Sequence, residues 1–285
     1  MDSYGFLGAS CGVKGGQIFS GRGNCDYVES LTKGLIITNQ TKSFNFDTFE
    51  SEIETALYAS GNDKAWAVRD VIDNAFNGGD VESIQEGAYG ANKPDGLGAA
   101  DQAFQVRASE CLAKRLMKFN GKFVRVFTVD DNRIANGEST ADGKFAGKLG
   151  YIYVTYVKAS KGTAPNLTVH LYYSDYQDYL NKMSNAPLPK DTPEGLVPLT
   201  LKPAGAGKVK LVESCSASDV TEALGADIDT TIFVNASGGN PTTATYAAGA
   251  ITLSPTGAYA IASASVLKSA GILGYDGVLE YISVS

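Results

Sequence analysis

The strongest catalytic motif in the sequence is a candidate nucleophile elbow near its start. Residues 8–12 (GASCG) match G-x-S-x-G, a motif in which a tight strand-to-helix turn exposes the serine above a parallel sheet. Only seven residues precede it, too few for the upstream strands of such a sheet, and a triad would need His170, the single histidine. We therefore interpret the motif as a chance match in a glycine-rich segment. A hydrolase that depends on Ser10 is the less favoured alternative.

The spacing of ligand-type residues does not support a metal or phosphate site. One histidine and four scattered cysteines lack the spacing of a zinc site. Residues 130–135 (DDNRIA) begin like a calcium loop, but Ile134 and Ala135 stand where an oxygen ligand and a glycine are required. Residues 205–208 (GAGK) lack the spacer and the Ser or Thr of a phosphate loop. The sequence predicts no catalytic residues, no cofactor-binding residues, no cofactor and no metal ligands, so we expect that the protein is not an enzyme.

The other clusters of charged residues are typical of solvated helix faces. Paired catalytic carboxylates need a cleft that separates their pKa values, and a nucleic-acid platform interleaves basic with aromatic residues. The sequence alone does not show a cleft, and the basic residues are not interleaved with aromatic ones, so we expect a solvent-facing role for each cluster. These clusters are Glu50, Glu52 and Glu54; Glu82 and Glu86; and Lys114, Arg115 and Lys118.

Composition excludes several broad classes of protein. The chain has 285 residues, of which 44% are hydrophobic, and a net charge of −7. It can bury a core, and its charge argues against a nucleic-acid binder that depends on a basic surface. No apolar run approaches the roughly 18 residues that span a bilayer, and the first residues lack the pattern of a secretory signal. We expect a soluble protein that is made and used without export.

The cysteines are expected to be free or buried thiols in a reducing compartment. They form no C-x-x-C motif and no dense framework of the kind that staples small secreted folds. The four are Cys11, Cys25, Cys111 and Cys215.

The first hundred residues contain few clear elements. Residues 1–33 are rich in glycine and predict an extended arm. Residues 35–38 predict a short strand, and Asp47 with Glu50 forms a variant of a capping box that opens an amphipathic helix ending before Gly61. Residues 62–101 are ambiguous and are expected to be a long excursion over the surface.

The middle of the chain predicts a sheet. Residues 122–129, 151–157 and 167–173 alternate between β-branched or aromatic residues and others, as strands do, and residues 104–108 show the same pattern more weakly. Ser109 and Asp175 are placed to cap short helices. Residues 130–150 are polar and glycine-rich and predict a long loop or an extended hairpin tip.

A boundary follows this sheet. Five of the nine prolines fall between residues 186 and 203, which predicts a stiff linker over residues 186–206. Beyond it, residues 207–285 contain short strand candidates separated by turn residues. That rhythm predicts a small β-sandwich of immunoglobulin-like type.

The predicted fold class is therefore mainly β with a few short helices. It comprises the arm (1–33), a β-sandwich or barrel assembly domain with flanking helices (34–185), the linker (186–206) and the immunoglobulin-like domain (207–285). Arms, long loops and an added β-domain are typical of assembly proteins, whose extended segments become ordered against neighbouring subunits.

Two stretches resemble virion proteins of tailed bacteriophages. Residues 11–16 (CGVKGG) with 23–26 (GNCD) are similar to the opening of such proteins, and residues 111–121 (CLAKRLMKFNG) running into 125–132 (RVFTVDDN) resemble the same group. The resemblance covers the first 185 residues loosely, with motifs of low specificity. It indicates a tail-tube protein or a close structural relative, and a capsid, portal-ring or baseplate component remains an alternative.

The resemblance implies a function in assembly. Tail-tube proteins form hexameric rings that stack into a tube whose electronegative lumen conducts DNA, and the segments 1–33 and 130–150 would match those that hold rings together. We therefore expect a virion structural protein, assembled in the bacterial host cytoplasm, whose partners are other copies of itself and other virion proteins, with DNA as passing cargo and no membrane. The alternative is a decoration or carbohydrate-binding module on a virion or cell surface, which would use exposed tyrosines and the C-terminal sandwich.

Overall fold

A computed structural model describes residues 30–85, 92–107, 109–161, 164–189 and 195–285. It is mainly β with four short α-helices in this part of the chain, which confirms the predicted fold class. The chain divides into two compact units. The first comprises Met1–Glu54 and Ala65–Glu194, and the second Thr55–Lys64 and Gly195–Ser285.

The first unit contains twelve strands in its described part, together with helices α2, α3 and the start of α1. In chain order the elements are β1 (Thr32–Asn39), α1 (Phe49–Tyr58), β2 (Trp66–Val68), β3 (Val71–Gly78), β4 (Val81–Gln85), β5 (Asn92–Leu97), β6 (Ala100–Val106), α2 (Glu110–Leu116), β7 (Lys122–Asp130), β8 (Ile134–Ser139), β9 (Phe145–Ala146), β10 (Lys148–Val157), β11 (Asn166–Tyr173), α3 (Tyr176–Lys182) and β12 (Met183–Pro187).

Most of these strands form one antiparallel sheet in the order β12-β8-β7-β10-β11-β6-β3, with β1 also paired to β7. Along each strand the side chains alternate between two faces. The inner face carries a buried core that includes Val126, Ile152 and Val169, and α2 packs its Leu116 against this core. As predicted, Ser109 caps α2 by accepting a hydrogen bond from the Leu112 amide.

Two segments that the sequence analysis left without regular structure are strands. Residues 62–101, expected to be a surface excursion, contain β2 to β5 and the start of β6. Residues 130–150, expected to be a long loop or an extended hairpin tip, contain β8, β9 and the start of β10, and β8 pairs antiparallel with β7 before it and with β9 after it, as extended hairpins. The surface excursion is built from strands, and every residue of β4 is exposed. The strand β8 was not predicted as such because it carries buried polar residues and a glycine where a half-buried strand normally carries β-branched residues.

Gly137 in β8 shows why such a glycine is required. A Cβ atom at this position would lie 2.2 Å from the carbonyl oxygen of Ala146 and 3.0 Å from the ring of Phe127. The backbone of β9 therefore approaches β8 too closely for any larger residue.

The second unit is a β-sandwich with one α-helix. Its elements are β13 (Val197–Gly205), β14 (Lys208–Glu213), β15 (Phe233–Asn235), β16 (Thr243–Ala247), β17 (Ala250–Ser254), β18 (Gly257–Ile261), α4 (Ala264–Ser269), β19 (Tyr275–Gly277) and β20 (Ile282–Val284). The sheets β16-β17-β14-β13-β19 and β15-β18-β20 contribute to one buried core that includes Leu211, Phe233 and Tyr259.

The second unit begins earlier than the predicted C-terminal domain. Strand β13 lies inside the interval 186–206 that was assigned to a linker, and it pairs with β14 and β19 despite Pro198 and Pro203. Residues 55–64 also belong to this unit. The Gly274 amide donates to the Tyr58 hydroxyl at 3.1 Å, and Lys64 pairs with Asp276.

Candidate functional site

The outer face of the large sheet has a half that is covered by its own chain, here called the phenylalanine half. Four rings, Phe44, Phe49, Phe127 and Phe145, are each at most 1% exposed. Phe49, from the start of α1, lies 5.7 Å from Phe127 and 4.9 Å from Phe145 between ring centroids. The backbones of Phe44 and Phe145 also exchange two hydrogen bonds of 2.8 Å. This half is a second hydrophobic core.

The other half of the same face, here called the tyrosine face, is open to solvent. Tyr151 and Tyr153 on β10 and Tyr172 on β11 are 49%, 50% and 43% exposed. Tyr151 is paired across the strands with Tyr172 and with Phe123, whose ring centroid is 4.8 Å away. Tyr153 meets Tyr172 edge-on at 6.3 Å. Strand pairing therefore gathers aromatic rings from three neighbouring strands on one surface.

Polar groups border these rings on the same face. His170 is paired with Tyr153, and its ring stacks against that of Tyr172 at 6.0 Å. Asp101 on β6 is opposite Tyr172, with its Oδ2 3.8 Å from His170 Nδ1 and 3.2 Å from Asn77 Nδ2, which donates to it. The tyrosine face thus combines exposed rings with hydrogen-bonding groups.

A second exposed feature is the distal ribbon, the hairpin of β4 and β5. It continues the hairpin of β3 and β6, and every residue of β4 is exposed, including Val81 at 66% and Ile84 at 50%. Between the two halves of this long hairpin, Gly98 N donates to Asp80 O at 2.8 Å. The distal ribbon presents apolar side chains that no described residue buries.

This hairpin was not predicted from the sequence because its glycines are typical of turns, but its geometry requires them. Gly78 and Gly79 have φ values of +80° and +74°, which only glycine adopts readily. A Cβ atom on Gly78 would lie 2.1 Å from the Ala99 carbonyl oxygen. The glycines therefore mark a bend in a continuous hairpin and not its end.

A cleft of about 620 Å³ lies in the first unit beside β1 and β2. Two non-glycine turn residues on its wall, Asp70 and Arg133, have φ values of +62° and +60°. Its charges largely offset one another, so the cleft does not select a ligand by charge. The charged residues of its wall are Lys33, Arg69, Asp70, Arg107, Asp130, Asp131 and Arg133.

The candidate hydrolase residues are not brought together in the described structure. Ser10 and the rest of residues 8–12 lie outside the described residues, as does most of the predicted arm, 1–29. His170 belongs to the tyrosine face, where its neighbours are Tyr172 and Asp101. A catalytic function for this histidine therefore gains no support.

The loop motifs have structural functions. Asp130 accepts hydrogen bonds from the amides of Asn132 (3.0 Å) and Ile134 (2.8 Å), so its carboxylate caps the turn between β7 and β8. Residues 205–208 form the turn between β13 and β14, with Gly205 and Gly207 at positive φ. Among the described residues, no group of three or more His, Cys, Asp or Glu could hold a metal ion.

Of the predicted carboxylate clusters, one residue has a defined structural function. Burial raises the pKa of Glu52, but hydrogen bonds from the Thr48 hydroxyl and from the Asn45 side chain and amide outweigh this effect, so the pKa is lower than its ordinary value. Glu82 is exposed on β4, and Glu86 lies outside the described residues.

The basic cluster of the sequence lies at the end of α2. Lys114 and Arg115 are in its last turn, where positive charge interacts favourably with the helix dipole. Lys118 follows in a short 3₁₀ helix.

The expectation of free thiols was wrong for the two described cysteines. Cys111 and Cys215 are both disulfide-bonded. Sequence spacing misled because cysteines far apart in the chain can pair once the fold brings them within reach.

The tyrosines of the open face were noticed in the sequence only as an enrichment. The signal for a surface site was their position, because in β10 tyrosines occupy the outward positions while Ile152 and Val154 point into the core.

No described helix is long and apolar enough to cross a membrane. No protein-family model matches the chain, and no curated protein matches it in sequence.

Proposed function

We propose that this protein is a structural protein of a phage virion that self-associates into rings, stacked as a tail tube through which DNA passes. The observation that carries the proposal is the distal ribbon. The resemblance of the sequence to tail-tube proteins supplies the more specific part, namely hexameric rings and other virion proteins as partners.

The distal ribbon needs a neighbour to be stable. An isolated two-stranded hairpin is marginally stable in water, and β4 exposes Val81 and Ile84 instead of burying them. A second copy of the chain is the simplest neighbour, because most soluble oligomers are symmetric assemblies of identical chains. Contact with the next copy would bury these two side chains.

The ends of the large sheet support head-to-tail association. Strand β3 is at one end of the strand order and β12 at the other, so each has one unpaired side among the described residues. Two different complementary surfaces on one chain give heterologous contacts, which close into rings when the rotation allows it.

Charge and cysteine chemistry are consistent with this function. A net charge of −7 would let DNA pass without binding to the protein. Disulfides persist on the surfaces of virions, and both described cysteines are disulfide-bonded.

Shortening the distal ribbon tests the proposal. Gly98 N already donates to Asp80 O, which is the bond that closes a two-residue turn, so residues 81–97 can be replaced by Asn-Gly. We expect the full-length chain to form rings or tubes in negative-stain electron microscopy and light scattering, and the shortened chain to remain a folded monomer.

The matched control keeps the ribbon and changes only its surface. Val81→Ser with Ile84→Ser should weaken assembly less than the deletion does. Fluorescence of Trp66, the single tryptophan, which packs 5.1 Å from Phe119, reports folding of the first unit in every variant. A full-length chain that stays monomeric at every concentration, or a shortened chain that assembles normally, would contradict the proposal.

A further inference from the structure

We propose that the tyrosine face is a binding site for a neutral glycan. This inference goes beyond assembly and does not depend on it, because it concerns a surface of the first unit other than the distal ribbon. It assigns to the first unit alone the glycan binding that the sequence alternative attributed to exposed tyrosines together with the C-terminal sandwich.

The shape of the tyrosine face suits a chain of sugar rings. Tyr151 and Tyr153 are two residues apart on β10, about 7 Å along the strand, and Tyr172 is on the adjacent strand. His170 is directly opposite Tyr153, and Asp101 is directly opposite Tyr172. Beyond His170 the side chains are small: Ala103 on β6 is opposite His170, and Ala75 on β3 is opposite Ala103. The rings therefore stand beside a shallow floor on which an extended ligand can lie.

The chemistry of the face matches the two sides of a sugar. A pyranose ring has an apolar side of C–H groups, which stacks on an aromatic ring, and an edge of hydroxyl groups, which needs hydrogen-bond partners. Tyrosine provides an apolar ring with a polar tip. Asp101 is 23% exposed and accepts one hydrogen bond, from Asn77, so its remaining acceptor capacity is available to a ligand hydroxyl.

Charge selects a neutral ligand. The ionisable groups beside the tyrosines are Asp101 and His170, which lie 3.8 Å apart, and the protein as a whole carries −7. An anionic polymer such as a nucleic acid or an acidic glycan would meet the Asp101 carboxylate beside the tyrosines and no cluster of Lys or Arg among the described residues of the face.

A protein partner fits this surface less well than a glycan. The centres of protein interfaces are enriched in Tyr but depleted in Asp and Ala, whereas here Asp101 is directly opposite Tyr172, and Ala103 and Ala75 follow His170 on the same face. The phenylalanine half shows how this chain covers a surface with its own residues, which is by apolar rings that lack hydroxyl groups.

The test is a binding screen of the full-length protein. An array of neutral oligosaccharides of glucose, mannose, galactose and N-acetylglucosamine, with acidic glycans on the same array, is followed by calorimetry at up to about 1 mM ligand. We expect binding to at least one neutral oligosaccharide and to none of the acidic glycans.

Variants locate the site. Tyr153→Ala and Tyr172→Ala should each weaken binding about tenfold, the effect of removing one stacked ring, and Asp101→Asn should weaken it by a smaller factor. The matched control is Tyr281→Ala, because Tyr281 is 44% exposed but lies in the second unit. This control should bind like the unchanged protein, and Trp66 fluorescence should show that the first unit, which carries the tyrosine face, is folded in all four variants.

Four results would overturn the inference. The first two are a protein that binds no neutral glycan and a protein that binds acidic glycans alone. The third is a loss of binding with Tyr281→Ala that equals the loss with the tyrosine-face variants. The fourth is loss of assembly with Tyr153→Ala in a protein that binds no glycan. The last result would show that the tyrosine face is a contact between copies. The three glycan-binding readouts do not depend on the outcome of the ribbon experiment, so the two proposals fail separately.

Discussion

The two halves of the outer face of the large sheet differ in residue type and in burial. On one half, Phe127 and Phe145 lie beneath Phe49 and are at most 1% exposed. On the other, Tyr153 and Tyr172 are half exposed and are bordered by polar groups. The same sheet therefore has one aromatic surface that is buried and one that is exposed to solvent.

The difference between the two halves follows from the hydroxyl group that tyrosine has and phenylalanine lacks. A buried tyrosine usually needs a hydrogen-bond partner for its hydroxyl, whereas phenylalanine needs none. Phenylalanines are therefore suited to being covered by the start of α1, and tyrosines to remaining in contact with water or a polar ligand. Aromatic content alone predicts neither outcome.

The largest effect expected from this comparison is on stability. Phe49→Ala should lower the free energy of unfolding of the first unit by about 3–5 kcal/mol, because it opens a cavity among four buried rings. Tyr153→Ala should change it by less than about 0.5 kcal/mol, as exposed substitutions usually do. Urea unfolding followed by Trp66 fluorescence measures both. Losses of similar size would mean that the tyrosine face is part of the core, and the comparison would fail.

The sequence predicted the regular strands well and the irregular ones badly. Alternation located β7 and β11 to within one residue and all but the first three residues of β10, because their inward positions are mostly apolar and β-branched. It missed β8, whose buried positions include Asn136, Gly137 and Glu138. Glu138 is buried because Arg125 provides a partner, and Gly137 because β9 leaves no room for a side chain. Neither condition can be read from local sequence.

Arg125 and Glu138 form such a buried pair beside the phenylalanine half. Arg125, two residues before Phe127 on the same face of β7, places its Nη1 2.5 Å from Glu138 Oε1 and also donates to the carbonyl oxygens of Gln40 and Gly147. Glu138→Leu should cost about 3 kcal/mol, because it leaves a buried guanidinium without its carboxylate. Urea unfolding followed by Trp66 fluorescence measures the loss.

Two further variants sharpen this second prediction. Arg125→Met combined with Glu138→Leu should recover much of the lost stability, since an apolar pair leaves no charge unpaired. Lys182→Met removes an exposed partner of Asp178 and should cost no more than about 0.5 kcal/mol. If Glu138→Leu cost as little as Lys182→Met, the ion pair would not contribute to the stability of this half.

The candidate surfaces were less predictable than the strands, for a physical reason. Tyr151, Tyr153 and Tyr172 become one surface only through the pairing of β10 with β11. Pairing register is a long-range property, so the alternation within each strand could not predict which tyrosines meet. The distal ribbon was not predicted because the glycines that bend it interrupt the strand pattern in the sequence.

The smallest effect expected concerns the start of α1, which covers the phenylalanine half. Because hydrogen bonds from Thr48 and Asn45 lower the pKa of Glu52 in the folded protein, its contribution to stability is complete above the ordinary value of 4.5 and is lost as the pH falls through the lowered value. Glu52→Gln should therefore cost about 0.5 kcal/mol at about pH 7 and less at about pH 3.5.

Urea unfolding of both proteins at the two pH values, followed by Trp66 fluorescence, measures that difference. Glu50→Gln is the control, because Glu50 is exposed in the first turn of the same helix and should show no comparable change between the two pH values. If the loss of unfolding free energy caused by Glu52→Gln grew as the pH falls, the protonated carboxyl group would be the form that stabilises the start of α1. The phenylalanine half would then be held by apolar contacts with no contribution from the ionised carboxylate.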